Sequence, residues 1–221
     1  MKDTAYSFAR EVDRQIEALA PDDYHRKFGR SKQLQEELYP ISRLALQLKQ
    51  PGLEVEVEAF EDDGPVDGYI RISGFREREF DVEVTCVYDY DEPLRRELLV
   101  SEGFAPGAGD ICRDKNSRKV LATLAAVNHD EHIGRISKAV MDRFRDKVSK
   151  SYGPNTALII VFDEIKLYGR ENWNRLFESV EKEGGLSGSV FLSVYLFNCA
   201  TNELRRAACA STRTQSAPGL S

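Results

Sequence analysis

The chain reads as an α/β protein with a mixed central sheet flanked by helices, and three observations lead there. Three strand-like segments follow one another between residues 53 and 87. The run Ala157-Leu158-Ile159-Ile160-Val161-Phe162 is apolar on both faces, as in a central strand covered from both sides. Helical segments separate that run from the strands before it and from a last strand after it, which implies parallel pairing at the sheet centre.

Taken in order, Thr4–Ala20 carries a helical stripe of Phe8, Val12, Ile16 and Leu19, ended by Pro21. Residues 21–32 are polar and form a connection or a short helical turn. A second helix spans Ser31 to Gln50 with Leu34, Leu38, Ile41, Leu44 and Leu48 on one face, and Pro51-Gly52 stops it. Pro40 lies inside that pattern, so the helix kinks there or begins later. Leu53–Phe60 alternates as a strand. Two further strands are read over 65–72 and 79–87, then a short helix over 92–100 and a glycine-rich loop over 101–116. Helix is predicted for 117–127 and again for 130–152, where Ile133, Ile136, Val140, Phe144 and Val148 recur at helical spacing. The central strand 157–162, a helix over 170–183 containing Trp173 as a core residue, and a strand over 189–197 complete the order. From Thr212 the polar tail is expected to be disordered.

Composition excludes some classes. Apolar residues make up 41% and charged residues 31%, a globular balance, and 221 residues favour one domain. No apolar run reaches the ~18 residues that cross a bilayer, and Lys2 and Asp3 make a secretory signal unexpected, so a cytoplasmic protein is anticipated. The four cysteines form no CxxC pair and are expected as reduced thiols rather than zinc ligands. The net charge is −6, but it is unevenly spread. Residues 53–92 hold fourteen acids and three bases, whereas 113–150 hold ten bases and five acids. An acidic centre beside a basic flank suits a cation and a polyanion bound together; a helix solvated by Lys and Arg has the same composition.

The acids of the second and third strands carry the functional reading. In Glu79–Val87, Phe80, Val82, Val84 and Cys86 share one face, and Asp81, Glu83, Thr85 and Val87 share the other. Pairing this strand with Pro65-Val66-Asp67-Gly68-Tyr69-Ile70-Arg71-Ile72 brings Asp67 towards Glu83. Two adjacent carboxylates need a cation, and a hard metal ion with oxygen ligands provides one. The solvated face of a half-buried antiparallel sheet also alternates acids, and the strands alone leave both readings open. Glu37 borders the apolar stripe of its helix, with Glu36 about 100° away. His129 and His132 start a helix, where capping and surface roles predominate.

Helix, three strands, helix, strand, with Glu37 on the first helix, Asp67 opening one strand and Glu83-Val84-Thr85 on the next, resembles the PD-(D/E)XK, or restriction-endonuclease-like, nuclease superfamily over roughly residues 31–165. The resemblance implies an αβββαβ core in a domain over 31–200, with a helical extension over 1–30 and a flexible tail over 201–221. It implies metal-dependent hydrolysis of nucleic acid, DNA foremost, and leaves a homodimer open. Asp67 and Glu83 would hold Mg²⁺ or Mn²⁺ with the carbonyl of Val84, and Glu37 would act behind them or on a second ion. The family's triplet ends in lysine, and here that position is Thr85, which cannot supply an ammonium. Either Thr85 orients a water, or a lysine comes from elsewhere, Lys138 on the following helix being expected, with Arg135 and His132 towards the phosphate. The third reading is a degenerate site in a nucleic-acid- or protein-binding module.

Overall fold

Ala157–Phe162 sits at the centre of the molecule, as its two apolar faces demand. The computed structural model of the chain describes residues 1–60, 64–88, 91–106, 109–125, 128–186 and 190–209. The elements are β1 (Lys2–Thr4), α1 (Ala5–Glu17), α2 (Pro21–Arg26), α3 (Arg30–Gln33), a π-helical turn (Leu34–Leu38), α4 (Tyr39–Leu48), β2 (Leu53–Ala59), β3 (Gly68–Gly74) and β4 (Arg78–Cys86). There follow α5 (Glu92–Glu102), β5 (Ile111–Arg113), β6 (Val120–Ala122), α6 (His129–Val148), β7 (Thr156–Phe162), α7 (Gly169–Lys182), β8 (Ser193–Asn198) and β9 (Glu203–Cys209).

Seven strands form one mixed sheet in the order β1-β2-β3-β4-β7-β8-β9. The pairs from β1 to β4 are antiparallel, β4–β7 and β7–β8 are parallel, and β8–β9 is antiparallel. Every residue of β7 is buried. Ala157, Ile159 and Val161 enter one core with Phe8 and Val12 of α1 and Ile41 and Leu44 of α4. Leu158, Ile160 and Phe162 enter the other with Val140 and Phe144 of α6 and Trp173 and Leu176 of α7. The antiparallel part is covered on one face only: in β2, Leu53, Val55, Val57 and Ala59 are buried while Glu54 and Glu56 are exposed. The boundary between the singly and doubly covered parts therefore falls at β4. Among the described residues no helix is long and apolar enough to cross a membrane.

Several sequence expectations change. Residues 117–127 were expected as helix, but Val120–Ala122 is the second strand of a hairpin and residues 126 and 127 lie outside the described residues. The missed signal is turn chemistry, since the Asp114 carboxylate accepts from the N–H groups of Asn116 (2.6 Å) and Ser117 (2.9 Å) and closes the chain back on itself. Residues 203–209, expected as part of the tail, pair with β8 as an edge strand. The disorder expected from Thr212 lies outside the described residues. α1, expected in an extension, contributes Ala5, Phe8 and Val12 to the same core as α4.

Gly74 closes the β3–β4 corner at φ +127°, and a Cβ there would stand 2.3 Å from the Gly52 carbonyl oxygen. Gly103, the residue after α5, also has positive φ (+74°), but a Cβ there would meet nothing within 4 Å. Gly74→Ala is expected to cost ~2–3 kcal/mol through strain plus overlap, and Gly103→Ala only ~1 kcal/mol through strain alone. Urea unfolding of both variants checks this, and equal losses would remove the Gly52 contact as the cause.

Candidate functional site

Glu83 faces α6, because the alternation along β4 sends Val82 and Val84 into the core under α1 and α4. It is buried, 7% exposed, at the point where the sheet becomes covered on both sides. A carboxylate taken from water needs partners, and Glu83 has two. The Lys147 ammonium of α6 donates to its Oε1. The Tyr152 hydroxyl donates to the same oxygen at 3.0 Å.

Asp67 reaches this place because the β3–β4 ladder ends beside it. The last pair is Gly68↔Val82, and the Asp67 N–H still donates to the Val82 carbonyl at 3.0 Å. On β4 the N–H groups of Asp81 and Val87 point to the β7 side, bonding Asn155 and Val161 carbonyls, so that of Val84 points to the β3 side. Beyond the ladder it donates to Asp67 Oδ2 at 2.7 Å. A side-chain carboxylate thus replaces a strand carbonyl and is fixed next to Glu83. Burial first, then the charge of Glu83, pushes the Asp67 carboxyl up to about 7.

The cation is Lys147 rather than Lys138. Lys147 follows Phe144 by three residues and Val140 by seven, so it continues the buried stripe of α6 at its C-terminal end. Lys138 is nine residues earlier, a rotation of about 180° from Lys147, and it is exposed. Burial opposes the Lys147 charge, but the hydrogen bond and charge of Glu83 outweigh it and its pKa is raised. Thr85 is half-buried on the same strand face as Glu83. Arg135 and His132 lie roughly 18–22 Å from Lys147 along the helix. They line a separate cavity of about 100 Å³ at the C-terminal ends of β4 and β7. There His132 Nε2 contacts the Glu164 carboxylate, and Arg135 Nη2 is 3.3 Å from His132 Nδ1. The structure does not bring these two to the carboxylates.

Glu37 is placed by the π-helical turn. Tyr39 N–H bonds the Leu34 carbonyl, five residues back, and Pro40 has no N–H to give the Glu36 carbonyl. The Cys86 thiol lies 3.7 Å from that oxygen. The wider turn changes the helical phase, and Glu36, expected to point away, is the buried acid of the pair. Its Oε1 is 3.2 Å from Arg96 Nη2 of α5, and its Oε2 accepts from the Tyr88 hydroxyl. Glu37 is half-buried; burial raises its carboxyl pKa, Lys32 opposes this, and Glu36 and Glu83 add to it. Glu37 also contributes to raising Asp67.

Asp67, Glu83 and Glu37 therefore act on one another's charge in one corner of the molecule, with the half-buried ammonium of Lys147 on Glu83. Among the described residues no group of three or more His, Cys, Asp or Glu is arranged to hold a metal ion. A Mg²⁺-type site needs fewer, since one or two carboxylates with waters and substrate oxygens complete its shell. Asp67 and Glu83 Oε2 fit that demand in donor type, and burial together with the charge of Glu83 raises the Asp67 carboxyl. Lys147 carries no motif, although its phase with Phe144 marks it; no sequence pattern marks Tyr152. No protein-family model, no curated protein and no solved structure matches the chain.

The Asp67 proton gives a stability test. The carboxyl titrates at about 7 in the folded chain against an ordinary 3.8. Its contribution is full below the lower value, declines as pH rises, and is gone above the higher one. In metal-free buffer Asp67→Asn is expected to flatten the fall in unfolding free energy between pH 5 and 8 by on the order of 2 kcal/mol. Chemical denaturation at several pH values measures it, and an unaltered slope would exclude Asp67 as the titrating group.

Proposed function

We propose that the chain is a divalent-metal-dependent nuclease of the PD-(D/E)XK, restriction-endonuclease-like kind, with Lys147 on α6 providing the cation that Thr85 does not provide on β4. The observation that carries this reading is the Lys147–Glu83 contact beside the Asp67 carboxylate. The order α4, β2, β3, β4, α6, β7 supports an αβββαβ core, with α5 and the β5–β6 hairpin inserted before α6. Mg²⁺ or Mn²⁺, when bound, supplies a water of lowered pKa and offsets charge on the phosphate.

The chain's own residues then have separate tasks. Asp67, fixed by the Val84 N–H, and Glu83 Oε2 would hold the ion, and the Val84 carbonyl would offer a third oxygen. Tyr152 and Lys147 share Glu83 Oε1 and keep that carboxylate from rotating. Lys147 presents a preoriented positive charge to the scissile phosphate in a half-buried place where charge is less screened than in water. Glu37 stands behind as a proton-holding acid or a ligand to a second ion. The competing reading, a binding module without activity, drew on Thr85 alone, and Lys147 takes away most of that support.

Cleavage of single- and double-stranded DNA and RNA with Mg²⁺ or Mn²⁺ is the test. Lys147→Met should lower the rate ~10²–10³-fold, Asp67→Ala should abolish it, and Lys138→Ala should leave it unchanged. Wild-type protein that cuts none of the substrates would leave the binding module standing. Equal loss in the Lys147 and Lys138 variants would mean that general surface charge, not position, matters.

A further inference from the structure

The hairpin β5–β6 belongs to the insertion between β4 and α6 and has no task in the site described above. Its base is held firmly. Ile111 is buried, and the Arg113 guanidinium grips both carboxylate oxygens of Glu97 on α5. Arg113 also donates to the Arg118 carbonyl at 2.9 Å, tying base to tip. The tip is ordered by its own backbone: Asp114 N–H donates to Lys119 O at 2.9 Å, and Arg118 N–H to Asp114 O at 3.0 Å. Arg118 takes the left-handed conformation, φ +61°. The one acid there, Asp114, spends its carboxylate inside the turn.

What remains outward is positive. Lys115, Arg118 and Lys119 are all exposed, with Asn116 and Ser117 between them. No ion pair is recorded for any of the three among the described residues. The chain as a whole has net charge −6, and its β2 turns Glu54 and Glu56 to solvent. On the ribbon itself Cys112 and its pairing partner Leu121 are exposed, as are Arg113 and Ala122.

We infer that the β5–β6 hairpin is a nucleic-acid-binding ribbon that enters the major groove of B-form duplex DNA, with Lys115, Arg118 and Lys119 on the flanking phosphates. A two-stranded ribbon fits a groove ~12 Å wide, and the exposed Leu121 suits contact with thymine methyls. The major groove of A-form RNA is too deep and narrow to admit it. A lipid surface would call for apolar side chains at the tip, where this hairpin has Lys, Asn, Ser and Arg. The choice of polymer rests on the nuclease reading; the placement of the ribbon rests on its charge and shape.

The experiment uses the full chain with a fluorescent 20-base-pair duplex in EDTA, followed by anisotropy over a salt series. The triple variant Lys115→Ser, Arg118→Ser, Lys119→Ser should bind ~10-fold or more weaker. The slope of log K against log salt should be shallower by about 2–3, since each lost phosphate contact removes ~0.9. Lys115→Arg with Lys119→Arg should retain the wild-type slope. Hydrolysis of bis(p-nitrophenyl) phosphate with Mn²⁺, which offers no groove, should be equal in wild type and triple variant. An unchanged salt slope, or no binding by wild type, overturns the inference while leaving any hydrolysis intact. Equal weakening on duplex RNA overturns the groove assignment. A shallower slope with no hydrolysis by wild type sinks the nuclease reading and keeps the ribbon.

Discussion

The rest of the structure follows from the burial of β7 on both faces. A strand that is apolar on both sides must be covered twice, so α1 and α4 pack on one face and α6 and α7 on the other. On the second face β2 carries Glu54, Glu56 and Glu58 and β3 carries Tyr69, Arg71 and Ser73, none of them buried, and the sheet stays open there. β4 has to serve both regimes, paired to β3 on one side and β7 on the other. Glu83 is the acid on β4 that falls under the edge of the covering helix. Its burial is thus a consequence of layer geometry, and its lysine is the cost of that burial.

Charge in this corner is deliberately unbalanced. Glu36, the other buried acid among the described residues, is matched by Arg96 and Tyr88. At Asp67 and Glu83 the ammonium of Lys147 faces two carboxylates, with Lys32 acting on Glu37 nearby, and burial and Glu83 raise the Asp67 carboxyl to about 7. A protein selected only for stability would put a neutral residue at one of these positions. The arrangement opposes folding, and perturbed acids of this kind concentrate at functional sites.

Much of the architecture was legible because it rests on periodicity. Period two placed β2, β3 and β4 and sent Glu83 to the right face; period 3.6 found α1, α6 and α7. The pairing of Asp67 with β4 followed from strand order. What escaped were features where a side chain substitutes for backbone. The Asp114 turn replaced an expected helix with a hairpin. The Lys147 contact required knowing how far α6 slides along the sheet, which no helical repeat encodes, and Lys138, expected beside the acids, is exposed on the other side of α6. The Glu36–Glu37 pair was misread because a constant 100° per residue fails across a π-helical turn.

That turn also sets how the helix can change in length. A π-helical turn is an α-helix with one residue too many, stabilised here by a proline that withholds one N–H and a thiol that meets the orphaned carbonyl. Deleting one residue between Leu34 and Leu38 would restore α-helical bonding and locally lower the conformational energy. The same deletion would swing everything upstream by about 100° relative to α4 and shift it ~1.5 Å. Ser31, whose hydroxyl bonds the Asp23 carbonyl, and Leu34 in the core would leave their places, and the acid facing Asp67 would change identity. The locally relaxed helix is therefore closed to this chain, and the length of the segment from Ser31 to Pro40 is fixed by the contacts at its two ends.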